Sequence, residues 1–432
     1  MTDIKTTQSE LAIIGTGMAG MAAAIFAAKR GIETVQIGVS SSTIYATGYL
    51  DLMGVHPMDQ KKTWNNPWHA IDALANDIPD HPYARMRQED IRSAFGEFLN
   101  FMKAAGLPYK GHAEKNTNVL SPMGTVKPTY CVPHTMWAGA MALAEKHPCL
   151  ILDFWGLKGF SAVQIVEMLL PGWPDLRAAR IAFPVVGPSV DLYTEQMGRS
   201  LEIEKNRVKL AEEIKPHLND AKAVGMPAIL GIYNTGKVMS HLKDLLGTDV
   251  FEIPTIPPSL PGIRMKEAFE TQITQKGVRL FSQKRVLNVR RETDGRFILD
   301  IGDRATGKTD HIIKSNGIIL AGGRFLGMGL HADRKKIKET VFDLPVAQPD
   351  DRSKWHQKDF FDPHGHQINQ AGIEIDAYFR PLDDSGQPAF ENLFAAGSIL
   401  AHQDWMRQKC GAGLAIATSY AAVKAFGKNI KK

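Results

Sequence analysis

The sequence Leu11-Ala12-Ile13-Ile14-Gly15-Thr16-Gly17-Met18-Ala19-Gly20 decides the fold of this chain. Its first four residues predict a short buried strand, and the alanine-rich stretch that extends to about Arg30 predicts a helix. The glycines have the spacing G-x-G-x-x-G, which is typical of the phosphate-binding turn of a βαβ unit, where glycine permits the tight turn and the close approach of a phosphate. The free N–H groups and the dipole of the helix favour an anion at this position. The residues expected to bind a phosphate are Gly15, Gly17, Met18, Ala19 and Gly20.

The second strand of this unit, Glu33–Ile37, lacks the acidic residue that usually ends it. That acid binds the ribose hydroxyls of adenosine, and Gly38 stands in its position. Ser41, in the serine run that follows, can form hydrogen bonds but carries no charge. An adenosine ribose can also bind backbone or serine groups, but it would lose its usual partner. The sequence therefore favours a mononucleotide, FMN, over FAD.

Two segments near the other end of the chain complete the expected site. An apolar strand ends in Ala321-Gly322-Gly323, and another ends in Gly397-Ser398 before the glycine-rich start of a helix at Gly411-Ala412-Gly413-Leu414. The N-terminus of this helix offers N–H groups and positive potential, which would stabilise the negative charge of a reduced flavin. Enzymes that bind NAD do not need this element, so the combination indicates a flavin. The expected contacts here are Ala321, Gly322, Gly397, Ser398, Gly411, Gly413 and Leu414.

The position of these motifs predicts an α/β fold in which a Rossmann-like flavin-binding domain is assembled from both termini. We assign residues 1–82 and 315–432 to this domain, and residues 83–314 to an inserted α/β region that caps the site and binds substrate and partners. Apolar periodicity in the insertion predicts helices and strands, and a proline-rich connector leads to Arg264. The predicted elements are helices at 88–106, 160–170, 237–246 and 264–276, and strands at 150–154, 178–183, 228–232 and 250–253.

Composition limits the setting in which the chain works. It has 432 residues and a net charge of +5, and it contains no run of the roughly 20 apolar residues that a membrane span requires. Because the first ten residues are polar, we predict no signal peptide. The expected location is the cytoplasm, with any contact to the cytoplasmic face of the inner membrane made through a partner. We expect no nucleic-acid partner.

The metal ligands in the sequence are few. The cysteines Cys131, Cys149 and Cys410 are far apart, and an iron–sulfur cluster usually takes four ligands at close spacing. His364 and His366 have no evident third ligand. We therefore expect no metal site, and any iron–sulfur centre that accepts electrons must belong to another chain.

Over nearly its whole length the chain resembles the B subunit of the anaerobic glycerol-3-phosphate dehydrogenase complex. The resemblance implies a flavin subunit, usually assigned FMN, of a complex that oxidises sn-glycerol 3-phosphate to dihydroxyacetone phosphate. It also implies a separate FAD-containing dehydrogenase subunit and an iron–sulfur subunit that passes electrons towards quinone. The sequence departs from the family at 401–405, where bulky residues replace expected glycines, and at 184–227. The matching segments are residues 14–20, 47–52, 121–125, 254–259, 262–264, 359–361, 380–381, 392–398, 410–411 and 413.

Hydride transfer to a flavin requires a base for the hydroxyl proton of the substrate, and an anionic substrate requires cations. His402 lies between two cofactor-contacting segments and is the candidate base, with a surface histidine as the alternative. Arg264 and Arg380 follow family-like motifs and are candidate ligands of the anion, with structural salt bridges as the alternative; Arg324 is a weaker candidate. Three further cofactor contacts are expected, and the last of them could instead cap a turn: Thr47, Gly48 and Asp51.

Three functions are compatible with these patterns. The chain could be a flavin oxidoreductase subunit that acts on glycerol 3-phosphate or a similar hydroxy-acid. It could instead be a subunit whose flavin only relays electrons in another dehydrogenase complex. The third hypothesis is a scaffold that keeps the nucleotide fold without catalysis.

Overall fold

The computed structural model describes residues 4–39, 42–184, 191–303 and 305–429. Its strands are β1 (Lys5–Ile14), β2 (Thr34–Gly38), β3 (Tyr109–Gly111), β4 (Thr117–Leu120), β5 (Val126–Thr129), β6 (Cys131–Pro133), β7 (Cys149–Phe154), β8 (Leu176–Ile181), β9 (Ala223–Pro227), β10 (Asp249–Ile253), β11 (Arg279–Ser282), β12 (Arg285–Arg291), β13 (Phe297–Gly302), β14 (Thr309–Leu320), β15 (Leu330–Ala332), β16 (Ile337–Glu339) and β17 (Leu393–Ala395). Its helices are α1 (Met18–Lys29), α2 (Pro67–Asp77), α3 (Gln88–Ala104), α4 (His134–Glu145), α5 (Ala162–Leu169), α6 (Thr194–Leu201), α7 (Glu204–Leu218), α8 (Thr235–Leu246), α9 (Leu260–Gln275), α10 (Trp405–Gln408) and α11 (Gly411–Asn429).

The chain divides into two compact units. Among the described residues, the first unit includes the chain up to Ser42, Asp51–Phe101, and the chain from Phe269 onwards; the second includes Thr43–Leu50 and Met102–Ala268. Both ends of the chain therefore build the first unit. The division differs from the boundaries expected at 82/83 and 314/315, because most of α3 and the strands β11 to β13 belong to the first unit.

The first unit contains a seven-stranded sheet with the order β11-β2-β1-β14-β13-β12, and β17 also pairs with β14. The strands β11, β2, β1, β14 and β17 are parallel, whereas β13 pairs antiparallel with both β14 and β12. Strand β1 is longer than predicted because its first residues pair with β14, beginning with Lys5 opposite His311. Ile14 lies opposite Leu320, and Leu320 lies opposite Ala395. Three adjacent strands therefore end at the same edge of the sheet, as the Rossmann-like fold requires.

Helices α1 and α11 pack together in the first unit. Every residue of α1 from Ala19 to Ala27 is buried, which is expected of a helix that is apolar on all sides. The Ser419 hydroxyl of α11 donates to the Ala19 carbonyl at 2.8 Å, and the rings of Phe26 and Tyr420 meet edge to face at 5.3 Å. The small side chains of both helices permit this close packing.

The second unit contains a four-stranded parallel sheet with the order β10-β9-β7-β8, together with the antiparallel pairs β3–β6 and β4–β5. The structure confirms the predicted strands near 150, 178 and 250 and the helices near 160 and 237. The strand predicted at 228–232 is wrong, because β9 occupies Ala223–Pro227 instead. Gly225 and Pro227 are residue types that are rare within strands, so the sequence pattern does not indicate this strand. The glycine is needed there, since a Cβ on Gly225 would lie 2.5 Å from Cζ of Phe251.

Helix α9 begins earlier than predicted. It starts at Leu260, so Pro261 and Gly262 from the proline-rich segment form its first turn. A proline in the first turn of a helix removes no intrahelical hydrogen bond and has a helical φ angle. The segment is therefore an extended connector that becomes the start of a helix.

Two helical glycines provide a test of the packing. A Cβ on Gly139 in α4 would lie 2.3 Å from Cδ2 of Phe251, whereas a Cβ on Gly96 in α3 would meet nothing within 4 Å. We expect Gly139→Ala to lower the free energy of unfolding by about 1–3 kcal/mol through overpacking. Gly96→Ala should raise it by about 0.5–1 kcal/mol through helix propensity. Urea unfolding of the two variants measures both changes, and shifts in the same direction would contradict this packing.

Candidate functional site

The candidate site lies where three parallel strands of the first unit end. The N–H of Gly15 donates to the Ile37 carbonyl at 2.8 Å, and the N–H of Ala321 donates to the Ile14 carbonyl at 2.8 Å. The N–H of Ala396, one residue after β17, donates to the Leu320 carbonyl at 3.0 Å. These hydrogen bonds continue the sheet by one residue, so the turns after β1, β14 and β17 lie side by side.

Close approach of these turns requires residues without side chains. Gly15 has a φ of 128°, and a Cβ on it would lie 2.1 Å from the Ala321 carbonyl oxygen. A Cβ on Gly20 would lie 2.0 Å from the Gly15 oxygen, and a Cβ on Gly397, which has a φ of 83°, would lie 2.5 Å from Cβ of Ala19. The sequence prediction for these glycines therefore has a steric reason that does not depend on any cofactor. The same geometry leaves exposed backbone where a ligand would lie.

The N-terminus of α1 fits a phosphate. Gly17 is the residue before the helix, and no side chain caps the helix N-terminus. Among the described residues of the first helical turn, none is acidic. Residues 15–18 are partly exposed, whereas residues 11–14 before them and 19–27 after them are buried. The first N–H groups of the helix thus lie next to accessible space with their dipole uncompensated, which favours an anion.

The N-terminus of α11 is fixed to the segment 51–52 by backbone contacts. The N–H of Gly413 donates to the Asp51 carbonyl at 2.7 Å, and the Tyr83 hydroxyl donates to the Leu52 carbonyl at 2.8 Å. A Cβ on Gly413 would lie 2.4 Å from the Tyr83 hydroxyl, and a Cβ on Gly411 would lie 2.7 Å from Cε3 of Trp405. Glycine is therefore required at both positions.

Asp51 also acts through its charge. Burial raises the pKa of the Tyr83 hydroxyl and of the Cys410 thiol, and the nearby Asp51 carboxylate raises both pKa values further. Both groups therefore stay protonated beside the start of α11. The structure shows that the Asp51 backbone holds this helix, while contact of its side chain with a flavin remains a prediction.

Two hydroxyl residues of α11 were not predicted for the site. The N–H of Gly397 donates to the Thr418 hydroxyl at 2.8 Å, and that hydroxyl donates to the Leu414 carbonyl at 2.6 Å. Ser419 bonds α1 as described above. These are adjacent polar residues in an alanine-rich, buried helix, and that contrast is the signal by which the sequence could have identified them. Gln36 of β2, whose side-chain amide donates to the Gly15 carbonyl at 2.9 Å, is a further residue that the sequence did not predict for the site.

Arg324 organises the loops around the turn after β17. Its guanidinium donates to three backbone carbonyls, those of Ser398 at 2.8 Å, Gln403 at 3.0 Å, and Asn369. Burial lowers the pKa of Arg324 to about 10, so the side chain is still protonated at neutral pH. The side chain named as a weak candidate for substrate binding thus holds the protein backbone instead.

The two arginines predicted to bind a substrate anion form ion pairs within the chain. In the second unit, Arg264 binds both carboxylate oxygens of buried Glu252 at 2.6 and 2.7 Å. In the first unit, Arg380 donates to Asp376 at 2.8 Å and also to Glu391. These pairs are the structural alternative to anion binding that the sequence left open.

His402 lies in the loop after β17 with a positive φ of 62°. Its N–H donates to the Gln370 carbonyl at 3.0 Å, and its Nε2 lies 3.0 Å from a carboxylate oxygen of Glu374. The side chain is one-third exposed. This is the arrangement of a histidine oriented by a carboxylate, and its role as a base remains a prediction.

Thr47 and Gly48, expected to contact the cofactor, belong to the second unit. The Thr47 hydroxyl accepts the N–H of Tyr49 at 3.3 Å. Gly48 has a φ of 88°, and a Cβ on it would lie 2.9 Å from Pro261 and 3.0 Å from Pro133. Packing against these prolines accounts for the glycine, and contact with a cofactor remains a prediction. Ser41 lies outside the described residues.

His81 is a buried histidine beside the same part of the first unit. Its Nδ1 accepts the N–H of Tyr83 at 3.1 Å, so the other nitrogen carries the proton and faces the Gln408 amide oxygen at 3.4 Å. The Gln408 carbonyl in turn accepts the N–H groups of Gly54 and Val55 at 3.1 and 2.9 Å. Burial lowers the pKa of His81 to about 3, so the ring is neutral at neutral pH.

Within the described ranges, no helix is both long and apolar enough to cross a membrane. The same ranges contain no group of three or more histidine, cysteine or acidic side chains that could hold a metal ion.

Comparison with known proteins gives a family. Residues 10–414 match the family described as FAD binding domain. The chain is 32% identical over 439 residues to the probable B subunit of the anaerobic glycerol-3-phosphate dehydrogenase of Halobacterium salinarum, covering 96% of this chain and 97% of that protein. It is 28% identical to the B subunit of the anaerobic glycerol-3-phosphate dehydrogenase of Vibrio vulnificus strain YJ016, covering 96% and 95%. Among solved structures it is similar to 3-ketosteroid delta1-dehydrogenase from Sterolibacterium denitrificans, with a TM-score of 0.46, 12% identity, and coverage of 98% and 100%.

The expectation of FMN is wrong, because the matching family binds FAD. The structure explains why Gly38 gave the wrong indication. A Cβ at this position would lie 2.5 Å from Cγ2 and 2.7 Å from the hydroxyl of Thr16 in the phosphate-binding turn. Glycine is therefore present because Thr16 occupies the space of a side chain, and its presence says nothing about the ribose.

This explanation can be tested by restoring the acid. We expect Gly38→Asp to displace Thr16 and to weaken FAD binding by tenfold or more, although an acid at this position usually binds ribose. The double variant Gly38→Asp with Thr16→Gly removes the clash and should recover part of the affinity. Fluorescence titration of the apoprotein with FAD measures both. Tighter binding by Gly38→Asp alone would contradict the steric explanation.

The buried histidine predicts a pH dependence of stability. Because the folded pKa of His81 is about 3 and a histidine in an unfolded chain has a pKa of about 6.5, only the unfolded state gains this proton as the pH falls below about 6.5. The contribution of His81 to the free energy of unfolding should therefore decrease by about 1.4 kcal/mol for each pH unit as the pH falls from about 6 to about 4.

The measurement compares urea unfolding of the unaltered chain and His81→Gln across this pH range. The glutamine of His81→Gln keeps one hydrogen-bond acceptor and one donor group but does not titrate, so the stability of this variant should depend less on pH. His69, which is exposed, provides the control His69→Gln. Parallel curves for the unaltered chain and His81→Gln would show that His81 titrates as it does in the unfolded chain.

Proposed function

The chain belongs to the FAD binding domain family and to the family of anaerobic glycerol-3-phosphate dehydrogenase B subunits, and from this premise we propose that it oxidises sn-glycerol 3-phosphate to dihydroxyacetone phosphate. Its class, a flavin oxidoreductase, follows from the family. The substrate, the partners and the path of the electrons are parts of the proposal. They are supported by the names of relatives that span nearly all of this chain.

One observation carries the proposal: the glycine turn and the start of α1 lie at the same sheet edge as the turns after β14 and β17. The uncapped N-terminus of α1 would hold the diphosphate of FAD. The N-terminus of α11 would stabilise negative charge on the flavin ring. When bound, FAD supplies the hydride acceptor of the reaction.

Side chains of the first unit would position the elements around this cofactor and accept a proton from the substrate. Tyr83 and Asp51 hold the start of α11 in place, and Arg324 fixes the loop that contains His402. We propose that His402 accepts the hydroxyl proton of the substrate. Its contact with Glu374 would orient the ring and stabilise the imidazolium that forms.

The proposed setting is a complex with a FAD-containing dehydrogenase subunit and an iron–sulfur subunit that passes electrons to quinone. The word subunit in the names of the relatives supports an assembly of several chains. We propose that the complex works on the cytoplasmic face of the inner membrane and that this chain reaches the membrane through a partner.

A second function is favoured by the ion pairs of Arg264 and Arg380. Because both cations already bind carboxylates, the chain has less capacity for an anionic substrate than its sequence suggested. In this alternative the flavin relays electrons and another subunit oxidises glycerol 3-phosphate. The uncapped N-terminus of α1, beside the partly exposed residues 15–18, favours a bound anion over a scaffold without cofactor.

The full chain, purified with its cofactor, distinguishes these functions. We expect the released cofactor to have the mass of intact FAD. Under anaerobic conditions, sn-glycerol 3-phosphate should bleach the visible absorbance of the flavin, and glycerol should not. If dithionite bleaches the flavin and glycerol 3-phosphate does not, the relay is the function of this chain; if no flavin is released, both proposals fail.

The role of His402 has its own test. His402→Gln should slow the reduction of the flavin by glycerol 3-phosphate by about 10²–10⁴-fold, the usual contribution of a general base. His364→Gln, at a side chain that is 73% exposed, is the matched control and should reduce at the normal rate. An unchanged rate in His402→Gln would remove this residue from the mechanism.

A further inference from the structure

The second unit contains a small cavity that the proposed redox function does not use. Its volume is about 30 Å³, and the side chains and backbone that matter here are those of Tyr109, Thr135, Thr235, Gly236 and Arg264. One water molecule needs roughly 10–15 Å³ of such a cavity, so this one has room for about two water molecules or two oxygen atoms of a ligand. A Cβ on Gly236 would meet nothing within 4 Å, which leaves the cavity open on that side.

Two helices of the second unit begin at this cavity. Helix α4 starts at His134 and α8 starts at Thr235, and each is 12 residues long. The residues before them, Pro133 and Asn234, make no side-chain capping hydrogen bond, and among the described residues of the two first turns none is acidic. Both helix dipoles direct their positive ends towards the cavity. The carboxylates of Glu252 and Glu202 offset part of that potential, and the His134 N–H already donates to the Pro108 carbonyl at 2.9 Å.

Glu202 lies beside the start of α8, and its carboxylate is already bound. It accepts the N–H groups of Ile232, Tyr233 and Asn234 at 2.7, 2.8 and 3.1 Å, which lowers its pKa. These N–H groups precede the helix. The first-turn N–H groups, which begin at Thr235, are left for another acceptor.

Arg264 adds donors to the cavity wall. Glu252 is saturated by two bonds from Arg264, one from the Thr135 hydroxyl at 2.6 Å and one from the Leu230 N–H at 2.6 Å. Arg264 also donates to the Gly231 carbonyl at 2.7 Å. A guanidinium has five N–H donors, so two remain, and no acceptor for them is present among the described residues.

The Thr235 hydroxyl points to a ligand independently of the helices. Thr235 is 4% exposed and lines the cavity, and its hydroxyl has no hydrogen-bond partner within the described parts of the chain. The Tyr109 hydroxyl on the cavity wall likewise has no partner there, and burial raises its pKa, so it stays a proton donor.

We propose that this cavity binds an oxyanion, the phosphate or carboxylate group of a small molecule, through Thr235, Tyr109, Arg264 and the starts of α4 and α8. The unsatisfied groups around the cavity are mainly hydrogen-bond donors, so an anion fits and a metal cation does not. The oxygens of the anion would enter the cavity, and the rest of the molecule would lie on the open side at Gly236. The proposal does not depend on the proposed redox function, because every residue of the site belongs to the second unit.

The test measures binding of inorganic phosphate to the full chain loaded with FAD, by isothermal titration calorimetry at low and constant ionic strength. Loading with FAD keeps the phosphate site of α1 occupied. Thr235→Val preserves the shape of the side chain and removes the hydroxyl, and we expect it to weaken binding about five- to tenfold. Thr235→Ser keeps a hydroxyl and should bind as the unaltered chain does.

A second pair of variants tests the charge of the site. Gly236→Asp places a carboxylate at the start of α8, where an acid favours the helix but repels an anion, and it should weaken phosphate binding by about tenfold or more. Gly236→Asn, similar in shape and neutral, should weaken it less. The flavin absorbance of each variant shows that the protein has folded. Absence of phosphate binding, or equal affinity in Thr235→Val, Gly236→Asp and the unaltered chain, would overturn the proposal.

The source of the anion is distinguished by titration with sn-glycerol 3-phosphate, inorganic phosphate, acetate and glycerol. Binding of glycerol 3-phosphate at least tenfold tighter than phosphate, weakened by Thr235→Val, identifies a phosphorylated small molecule. Equal affinity identifies free phosphate, and preference for acetate identifies a carboxylate; each of these results supports the site. Binding of glycerol with the same affinity as the anions contradicts it. Because no flavin reduction is measured, failure here leaves the proposed redox function standing, and failure of the redox function leaves this site standing.

Discussion

The parallel pairing of β1 with β14 is the constraint on which the first unit depends. Nine residue pairs join segments that are about 300 positions apart, from Lys5 opposite His311 to Ile14 opposite Leu320. Closing so long a loop costs entropy, and the buried apolar residues at the ends of both strands offset that cost. The register of this pair determines which residues follow the strands at the sheet edge. It is the reason why Gly15 meets the backbone carbonyl of Ala321 and why residue 15 must lack a side chain.

Local sequence patterns are sufficient to predict the elements whose structure depends on residues that are close in the sequence. The glycine turn, α1, α11 and the helices and strands near 150–170 and 235–253 were predicted from apolar periodicity and glycine spacing, and the structure confirms them. Partners distant in the sequence decided the rest. The N-terminal part of β1 is a strand because β14 lies beside it, β9 contains a glycine because Phe251 occupies the space, and Gly38 is a glycine because of Thr16. The last of these misled the choice between FMN and FAD.

The polar residues of the site show a similar limit. The type of residue suggested anion binding for Arg264, Arg380 and Arg324, but the role of an arginine depends on which acceptors the fold brings to it. Arg264 and Arg380 form ion pairs with Glu252 and Asp376, and Arg324 donates to backbone carbonyls. Thr418 and Gln36 form hydrogen bonds with the turns from α11 and β2, and no glycine-type spacing motif marks either residue. The glycines were predictable because their spacing is local, whereas these contacts are not.

The assembly of the first unit from both ends of the chain has a consequence for biosynthesis. A ribosome adds residues from the N-terminus, at about 5–20 residues per second, so the glycine turn is made long before the strands and helix that surround it. Strand β1 has no β14 to pair with until residue 320 has left the ribosome, and α1 lacks its packing partner until α11 follows. We therefore expect FAD to enter after translation, and the nascent chain to expose the edge of β1 that later pairs with β14 throughout most of its synthesis.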